Sequence, residues 1–362
     1  MKVSLSFPLS HLSDAQQMTN NIKIKVVGVG GSGSNTISRM KKMKIKGVEM
    51  IVMNTDAQDL NKTKADVKIR IGKKTTQGLG AGMNPEIGKQ SAIESYQEIF
   101  DVLKDATLVF ITGGEGGGTF SGAAPIVAQA AKENNALTIA VITKPFSFEG
   151  QVRAKIAENG IKELKEKVDA LIVISNDKLL SVLDPNIPIL NAFSICDDIL
   201  CQAVQGISDL IALPGIINVD FADIKAIMSS SGSALFGIGR AQGEDRIEKA
   251  VSAAINSPLL HEPSEARRSV AEETQSPRAE PSEARRSVAE ETQSPRADSS
   301  IRGAKGVLFN ISGEDVSLNE IDQAAKIITK EISPDARVIF GAVQNEKLKK
   351  GEIKITLIAT GF

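Results

Sequence analysis

The sequence has no tryptophan, one tyrosine, two histidines and two cysteines among its 362 residues. So few histidines and cysteines argue against a structural zinc site. Cys196 and Cys201 lie five residues apart in a helical pattern, and we predict reduced core thiols in a cytosolic protein. No apolar run approaches the eighteen residues that a membrane-spanning helix needs, and residues 1–20 make a poor signal peptide. We therefore expect no direct membrane insertion and a flexible N-terminal arm.

Strong charge of either sign is also missing. The net charge is −1, with 43 basic and 44 acidic residues, so nothing global indicates nucleic acid as a partner. Apolar residues make up 41% of the sequence, which is ordinary for a globular protein and allows two domains with full cores. Partners and function must therefore be argued from local motifs.

Glycine is abundant in one place, the stretch Gly-Gly-Glu-Gly-Gly-Gly-Thr-Phe-Ser-Gly at residues 113–122. It follows an apolar run at 107–112 that predicts a buried parallel strand, and it precedes a predicted helix at 123–132. A loop nearly free of side chains, followed by a helix N-terminus, is suited to binding an anion through backbone N–H groups. The stretch lacks the lysine of a Walker A loop, so it predicts a phosphate site of another kind.

Two further glycine loops precede it. Gly28, Gly30 and Gly33 fit Gly-x-Gly-x-x-Gly after a predicted strand, and Asp56 lies about where a nicotinamide-binding fold places its ribose acid. Residues 77–85 form another such loop before a helix predicted at 86–103. If all three loops follow parallel strands, they converge on one crevice that can surround a phosphate chain.

Other polar residues lie farther along the chain. Glu149 and Arg153 are four apart, which suits either a surface ion pair on one helical face or contacts at the mouth of the crevice. A long helix is predicted at 191–213. After it come Asn218, Asp220 and Asp223; Asp220 suits an N-cap, and paired carboxylates can also orient a water molecule or hold Mg²⁺.

Residues 261–300 change in character. The segment Pro-Ser-Glu-Ala-Arg-Arg-Ser-Val-Ala-Glu-Glu-Thr-Gln-Ser-Pro-Arg-Ala starts at Pro263 and recurs unchanged from Pro281, a period of 18 residues. Each copy holds one valine and no larger aliphatic or aromatic residue. Such a segment buries too little apolar surface to offset the entropy of ordering, so we predict a disordered or weakly helical insert.

Taken together, these motifs closely resemble the FtsZ family, the bacterial cell-division homologues of tubulin, over about residues 22–260 and 303–362. The matching segments occur in the same order: Gly-Val-Gly-Gly-Ser-Gly-Ser-Asn at 28–35, Asn-Thr-Asp at 54–56, Gly-Leu-Gly-Ala-Gly-Met-Asn-Pro at 78–85, the loop at 116–122, Pro-Phe-Ser-Phe-Glu-Gly at 145–150 with Arg153, Asn-Asp at 176–177, and Asn-Val-Asp-Phe-Ala-Asp at 218–223. The sequence departs from the family pattern at Glu115, where Met is common, and at Phe120 and Ser121, within a loop that is usually Gly-Gly-Gly-Thr-Gly-Thr-Gly.

The resemblance implies an α/β fold with a parallel-sheet GTP-binding domain at 21–190, a central helix at 191–213 and an α+β activation domain at 214–362 that the insert interrupts. It also implies a GTPase that binds GTP or GDP with Mg²⁺ and polymerises head to tail with itself at the division site, with other division proteins as partners. The residues it assigns to the nucleotide are Gly30, Gly31, Ser32, Asn35, Ala81, Gly82, Gly116, Gly117, Gly118, Thr119, Glu149, Arg153, Asn176, Phe193 and Asp198. It assigns Asn218, Asp220 and Asp223 to catalysis on the neighbouring subunit's GTP.

Two alternatives stay open at this point. Phe120 and Ser121 are compatible with a related scaffold protein that binds nucleotide but hydrolyses it slowly. Gly28, Gly30, Gly33 and Asp56 alone are compatible with a nicotinamide-dependent oxidoreductase.

Overall fold

The structure is a computed structural model that describes residues 22–257 and 301–362, apart from residues 46, 181, 182, 185, 213–216, 218, 346 and 347. The predicted arm at 1–20 and the repeat insert at 261–300 therefore lie outside the described residues. None of the helices in the described part is long and apolar enough to cross a membrane.

The first half of the chain alternates strands and helices. Its elements are β1 (Ile24–Val29), α1 (Gly30–Met43), β2 (Val48–Asn54), α2 (Ala57–Lys62), β3 (Val67–Arg70), α3 (Pro85–Glu94), α4 (Tyr96–Leu103), β4 (Leu108–Gly114), α5 (Gly118–Glu133), β5 (Leu137–Lys144), α6 (Gln151–Lys165), β6 (Ala170–Ser175) and α7 (Asn176–Leu180), with a 3₁₀ turn at Ser147–Glu149. The strands pair in parallel in the order β3-β2-β1-β4-β5-β6. All six carboxyl ends therefore lie at one edge of the sheet.

A long helix, α8 (Ile189–Ala212), joins this half to the rest of the chain. The later elements are α9 (Phe221–Met228), β7 (Gly232–Gln242), α10 (Arg246–Ile255), β8 (Gly306–Gly313), α11 (Leu318–Glu331), β9 (Arg337–Gln344) and β10 (Glu352–Thr360). Here β7 pairs with β10 and β10 with β8 in antiparallel fashion, while β8 and β9 are parallel. Because β7 also pairs in parallel with β6, all ten strands form one sheet.

The parallel strands are buried on both faces because helices cover each side. Val26 and Phe110 belong to a core that also contains residues of α1 and α8, whereas their neighbours Val27 and Ile111 belong to a core with α4 and α5. This alternation follows from the two-residue repeat of a strand. A third core lies in the later half, where α10 and α11 pack on β8 and β10.

Helices α3 and α5 are pressed against each other through glycine. A Cβ at Gly122 would lie 1.9 Å from the carbonyl oxygen of Pro85, so no larger residue fits at this contact. The close approach brings the start of α3, and the loop before it, against the glycine-rich start of α5. Two of the three glycine loops thereby meet.

Several sequence predictions differ from the structure. The helix predicted at 86–103 is two helices that divide at Ser95. The Ser95 hydroxyl does not cap α4 and instead accepts a hydrogen bond from the Gly72 N–H at 3.0 Å. The helix predicted from residue 123 already begins at Gly118, so half of the glycine-rich stretch is its first turn and a half. Strand β3 was not predicted, because its four residues alternate Val and Ile with Lys and Arg over too short a run.

Candidate functional site

A cavity of about 350 Å³ lies at the carboxyl edge of the parallel strands. Val29, Gly114 and Thr143 come from the ends of β1, β4 and β5, and Asn176 follows β6 directly. The remaining lining residues are Gly30, Gly31, Ser32, Asn35, Glu115, Gly117, Gly118, Thr119, Phe120, Pro145, Glu149, Arg153, Phe193, Cys196 and Asp197. Most residues predicted for a nucleotide site are thus brought together, and the strand order explains why.

The loop predicted to bind phosphate, residues 116–119 and called the phosphate loop below, contributes Gly117, Gly118 and Thr119 to the wall of this cavity. Gly117 is the N-cap of α5 and has an extended backbone, so the first N–H groups of the helix have no intrahelical partner and carry its positive dipole end. A Cβ at Gly117 would meet nothing within 4 Å, so the space above it is open. Gly116 differs, because its φ of +89° suits glycine and its N–H is donated to the Ser121 hydroxyl at 3.1 Å. We assign Gly116 a conformational role.

The first glycine loop forms the adjacent wall. Gly30, Gly31, Ser32 and Asn35 all line the cavity at the start of α1. Gly28 and Gly33 lie behind it: a Cβ at Gly33 would come within 2.6 Å of the Gly28 carbonyl carbon. These two glycines allow α1 to begin directly at the end of β1. The Gly-x-Gly-x-x-Gly pattern is therefore explained by strand-to-helix packing.

Asp56 does not act as a ribose acid here. Its carboxylate accepts hydrogen bonds from the backbone N–H groups of Gln58 and Asp59, at 2.8 and 3.0 Å, and so caps α2. It is not among the cavity-lining residues. The nicotinamide interpretation rested on the Gly-x-Gly-x-x-Gly pattern and on Asp56, and the structure gives each of them another explanation.

The third glycine loop contacts the phosphate loop from outside the cavity. Ala81 is buried and Gly82 has a φ of +56°, and neither lines the cavity. Their neighbour Asn84 is closer to the phosphate loop, since a Cβ at Gly118 would lie 2.6 Å from the backbone nitrogen of Asn84. The assignment of Ala81 and Gly82 to the terminal phosphate stays a prediction.

The opposite end of the cavity is aromatic and acidic. Phe193 is 39% exposed and packs edge-on against Phe146, with ring centroids 5.1 Å apart. Asn176 is buried, and its Oδ1 has no hydrogen-bond partner within the described part of the chain. A buried unpaired acceptor is costly, so this atom favours a ligand that donates a hydrogen bond. An aromatic face and a free acceptor together suit a planar heterocycle.

Two adjacent acids on α8 face different surroundings. Asp198, the acid predicted for the base, is outside the cavity wall, and its two oxygens accept hydrogen bonds from the Arg39 guanidinium. Asp197 lines the cavity instead and accepts from the Thr36 hydroxyl at 3.2 Å. Burial raises the pKa of Asp197 to about 6, so it is largely ionised at neutral pH. Asp197, and not the predicted Asp198, is therefore the acid of this pair that lines the cavity.

Glu149 and Arg153 form an ion pair at the cavity rim. Glu149 lies in the 3₁₀ turn, and its carboxylate also accepts from the Phe146 N–H at 2.9 Å, while Arg153 belongs to α6. Gly150, with a φ of +98°, separates the two elements. The spacing of four residues suggested a pair on one helical face, but the two residues belong to different elements. Both residues line the cavity.

The acids after α8 are outside the cavity of their own chain. Asp220 and Asp223 are exposed, on and just after the N-cap of α9, and neither lines the cavity. The side chain of Asp220 makes no capping hydrogen bond, so capping does not account for it. Asn218 lies outside the described residues. No group of three or more metal-binding side chains occurs in the described part.

The residues that depart from the usual loop pattern are buried together. Phe120 is 3% exposed, and its ring fills the space where a side chain at Gly113 would be, with Cδ2 2.3 Å from a Cβ built there. Thr119 is held separately, its hydroxyl 2.6 Å from that of Thr55 at the end of β2. Ser121 donates to the buried Glu115 carboxylate. These side chains thus turn inward and leave the space above Gly117 open.

Sequence reasoning did not identify Asp197, Cys196 or Thr143 as cavity residues. Asp197 carried a usable signal, since it is four positions after Phe193 and therefore on the same face of α8. Cys196 and Thr143 carried none, because a small residue at the end of a buried strand or on a helix looks the same whether or not a cavity lies beside it.

Two family models match the chain. The Tubulin/FtsZ family GTPase domain matches residues 23–184, and the FtsZ family C-terminal domain matches residues 270–362. Among solved structures, an empty FtsZ dimer from M. jannaschii is similar at 41% identity, covering 98% of this chain and 93% of that one, with a TM-score of 0.83. A mutant FtsZ from the same organism is similar at 42% identity, covering 97% and 94%, with a TM-score of 0.81.

A more distant structure shares the fold alone. The GTPγS-bound CetZ2 protofilament from Haloferax volcanii is 18% identical, with coverage of 93% and 92% of the two chains and a TM-score of 0.68. The predicted arrangement of a GTPase domain with a mostly parallel sheet followed by a C-terminal domain is confirmed by these matches.

Proposed function

The chain belongs to the tubulin/FtsZ family of GTPases, as a GTP-binding, polymer-forming protein of cell division, and from that premise we propose that it hydrolyses GTP only where two subunits meet. In this proposal one subunit holds the nucleotide in the cavity described above, and the next supplies the acids that follow its long helix α8. One observation carries the proposal: the phosphate loop is open to the cavity, while Asp220 and Asp223 are exposed and lie outside the cavity wall.

The nucleotide has a single orientation that suits the cavity walls. Its phosphates lie against Gly117, Gly118 and Thr119, where the first turn of α5 offers unpaired N–H groups and a positive dipole end. The first glycine loop covers the other side of the phosphates. The base then lies between Phe193, Asn176 and Asp197 at the far end.

Asp197 makes the cavity selective for guanine. Guanine carries two adjacent donors, N1–H and the 2-amino group, and an ionised carboxylate accepts from both. Adenine has an acceptor in place of N1–H, and it would meet the same carboxylate with repulsion. Thr36, which donates to one oxygen of Asp197, fixes the orientation of the carboxylate. Glu149 and Arg153 at the rim suit the ribose and the edge of the phosphates.

The acids act on the GTP of a neighbouring subunit. An exposed carboxylate pair in a loop beside a helix can orient a water molecule and accept its proton, provided that it reaches the phosphate. A head-to-tail contact that joins the cavity of one subunit to α9 of the next does not close on itself, and repetition gives a filament. Exposed apolar side chains next to the rim support such a contact: Phe148 is 57% exposed and Val152 68%.

Magnesium accompanies the nucleotide. The described residues offer no cluster of three metal-binding side chains, so Mg²⁺ would be held mainly through the nucleotide phosphates and water. When bound, the ion neutralises charge on the phosphates and polarises the bond that is broken. The protein supplies the glycine loops that hold those phosphates.

We also propose that the protein works at the division site with other division proteins. This rests on family membership. The scaffold and oxidoreductase alternatives are not favoured, because both family models and the FtsZ structures agree, and because Asp56 is a helix cap.

The decisive experiment mixes two inactive variants. Asp223→Ala subunits keep the cavity but lack an acid, whereas Thr119→Arg subunits keep the acid but have a side chain in the phosphate site. Neither should release phosphate from GTP alone, and the mixture should recover activity at the junctions where an intact cavity meets an intact acid.

The controls are sedimentation with GTP against GDP, and a double variant that carries both changes in one chain. The double variant on its own must stay inactive. If mixed filaments form but phosphate release stays at the sum of the separate variants, the shared site is wrong.

A further inference from the structure

Glu115 is a buried carboxyl in the wall of the nucleotide cavity, beside the phosphate loop. It is 5% exposed, and it precedes the loop glycines directly. Its backbone N–H donates to the Thr143 carbonyl at 2.9 Å, which fixes the residue to the end of β5. The function proposed above gives this carboxyl no role, although a negative charge here would lie near the bound phosphates.

The side chain of Glu115 belongs to a short chain of hydrogen bonds that shapes the loop. The Gly116 N–H donates to the Ser121 hydroxyl at 3.1 Å, and that hydroxyl donates to Oε2 of Glu115. The other carboxyl oxygen, Oε1, is buried and has no hydrogen-bond partner in the described part of the chain. An ionised carboxylate would leave a charged oxygen buried and unpaired, whereas a neutral carboxyl leaves only an uncharged group there, which costs less.

The surroundings are built to fit this carboxyl. On α6, a Cβ at Gly160 would lie 2.3 Å from Oε2, so glycine at that position makes the space that the side chain occupies. The charged groups nearby are Glu163 on the same helix, which pairs with Lys89 of α3, and the Glu149–Arg153 pair at the rim. Both cations are already paired with other acids, and Glu163 adds a like charge. Burial, with a small addition from Glu163, raises the pKa of Glu115 to about 7.

We infer that Glu115 is a positioning residue that takes up a proton when the polyphosphate binds. Its neutral carboxyl holds Ser121, and through it the Gly116 N–H, in the shape that presents the phosphate loop. The proton comes from solvent and leaves when the nucleotide leaves. The inference rests on the proposed function, since it needs GTP or GDP in this cavity.

The sign of the effect follows from the charges. Bound phosphates are negative and favour the neutral carboxyl, so the pKa of Glu115 is higher in the complex than in the free protein. Affinity for GTP must then fall as the pH rises through neutrality. A rise of one pKa unit on binding weakens affinity about fivefold between pH 7 and pH 9. Over this range Asp197, with a pKa of about 6, stays largely ionised and does not contribute.

The test compares the full-length protein with Glu115→Gln, which has the shape of the neutral carboxyl but cannot ionise. We expect wild-type affinity for GTP to fall about fivefold from pH 7 to pH 9, and the affinity of Glu115→Gln to stay nearly constant. Glu158→Gln is the matched control, the same substitution at an exposed position of α6 that does not contribute to the pKa shift of Glu115, and it should retain the wild-type dependence. Ionisation of the nucleotide itself affects all three proteins equally, so it cancels when their pH profiles are compared.

A second measurement needs no variant. Calorimetry at pH 8, in buffers of different ionisation enthalpy, should show uptake of a fraction of a proton for each GTP bound by the wild-type protein, because the nucleotide phosphates are already ionised there. Identical pH profiles for wild type and Glu115→Gln, or no proton uptake, would overturn the inference. Absence of GTP binding by the wild-type protein at every pH would instead overturn the proposed function.

Discussion

The phosphate loop and the two acids at the start of α9, Asp220 and Asp223, differ in burial. Around the phosphate loop, Phe120, Ser121 and Glu115 are nearly inaccessible, and packing fixes each of them. Asp220 and Asp223 are exposed, and Asp220 lacks even a capping hydrogen bond. A site that binds must be formed before its ligand arrives, whereas a group that acts on another subunit must be accessible. The contrast therefore separates the residues proposed to hold GTP from those proposed to hydrolyse it.

The largest effect should come from removing an acid. Asp223→Ala is expected to lower phosphate release by about two to three orders of magnitude, because the attacking water loses the group that orients it. GTP affinity of the monomer should change less than about threefold, since the side chain lies outside the cavity wall. Phosphate release and nucleotide titration measure the two quantities separately.

The matched control for this change is Glu314→Ala, which removes another exposed acid. It should leave turnover within about twofold of wild type. A variant of Asp223 that lost GTP binding together with turnover would place this acid in its own chain's site and remove the contrast.

The next effect should appear in stability. Phe120→Gly combined with Ser121→Thr removes a buried ring from α5 and places a third glycine in its first turns, beside Gly118 and Gly122, so the free energy of unfolding should fall by about 3–5 kcal/mol. GTP affinity should be preserved or raised, because the phosphate loop and Thr119 are unchanged. Denaturant unfolding and nucleotide titration of the same preparation test this. A large loss of affinity in a folded double variant would show that Phe120 helps to form the binding surface.

A smaller effect distinguishes two adjacent acids. Asp197→Asn should lower the preference for GTP over ATP by about 10- to 100-fold, because the amide offers a donor where guanine needs an acceptor. Asp198→Asn should leave the preference unchanged and cost about 1 kcal/mol of stability through its half-exposed pair with Arg39. Competition binding with both nucleotides decides between them. The opposite result would restore Asp198 to the role that the sequence suggested.

The smallest effect is a dependence of folding on pH. The folded protein raises the pKa of Glu115 from 4.5 to about 7, so the folded state binds the proton more tightly than the unfolded chain. The corresponding stability is complete below pH 4.5 and is lost as the pH rises through 7. Between pH 5 and pH 7 the loss is about 2 kcal/mol. Glu115→Gln should lack this part of the pH dependence, which chemical denaturation at several pH values would show.

Much of the fold could be predicted from the sequence because its signals are local. Buried strands such as β4 are continuous apolar runs, and the run at 107–112 agrees with the observed strand, Leu108–Gly114, to within two residues. The glycine loops after β1 and β4 predict a phosphate site at the carboxyl edge of the sheet, since few residues other than glycine allow a backbone to approach an anion. Family membership also followed from separated motifs in a fixed order, and the comparisons confirm it.

Tertiary structure alone decided where the polar side chains point. Asp197 and Asp198 are adjacent in the sequence, and only the packing of α8 against α1 gives one of them to the cavity and the other to Arg39. Asp56 matched a ribose acid by its position in the sequence, but its carboxylate caps the start of α2. In the sequence Glu115 is an ordinary charged residue, and its burial results from the packing of β5, α5 and α6 around it. In each case the partner is distant in the sequence or belongs to a helix end, so its chemistry depends on contacts that no local pattern contains.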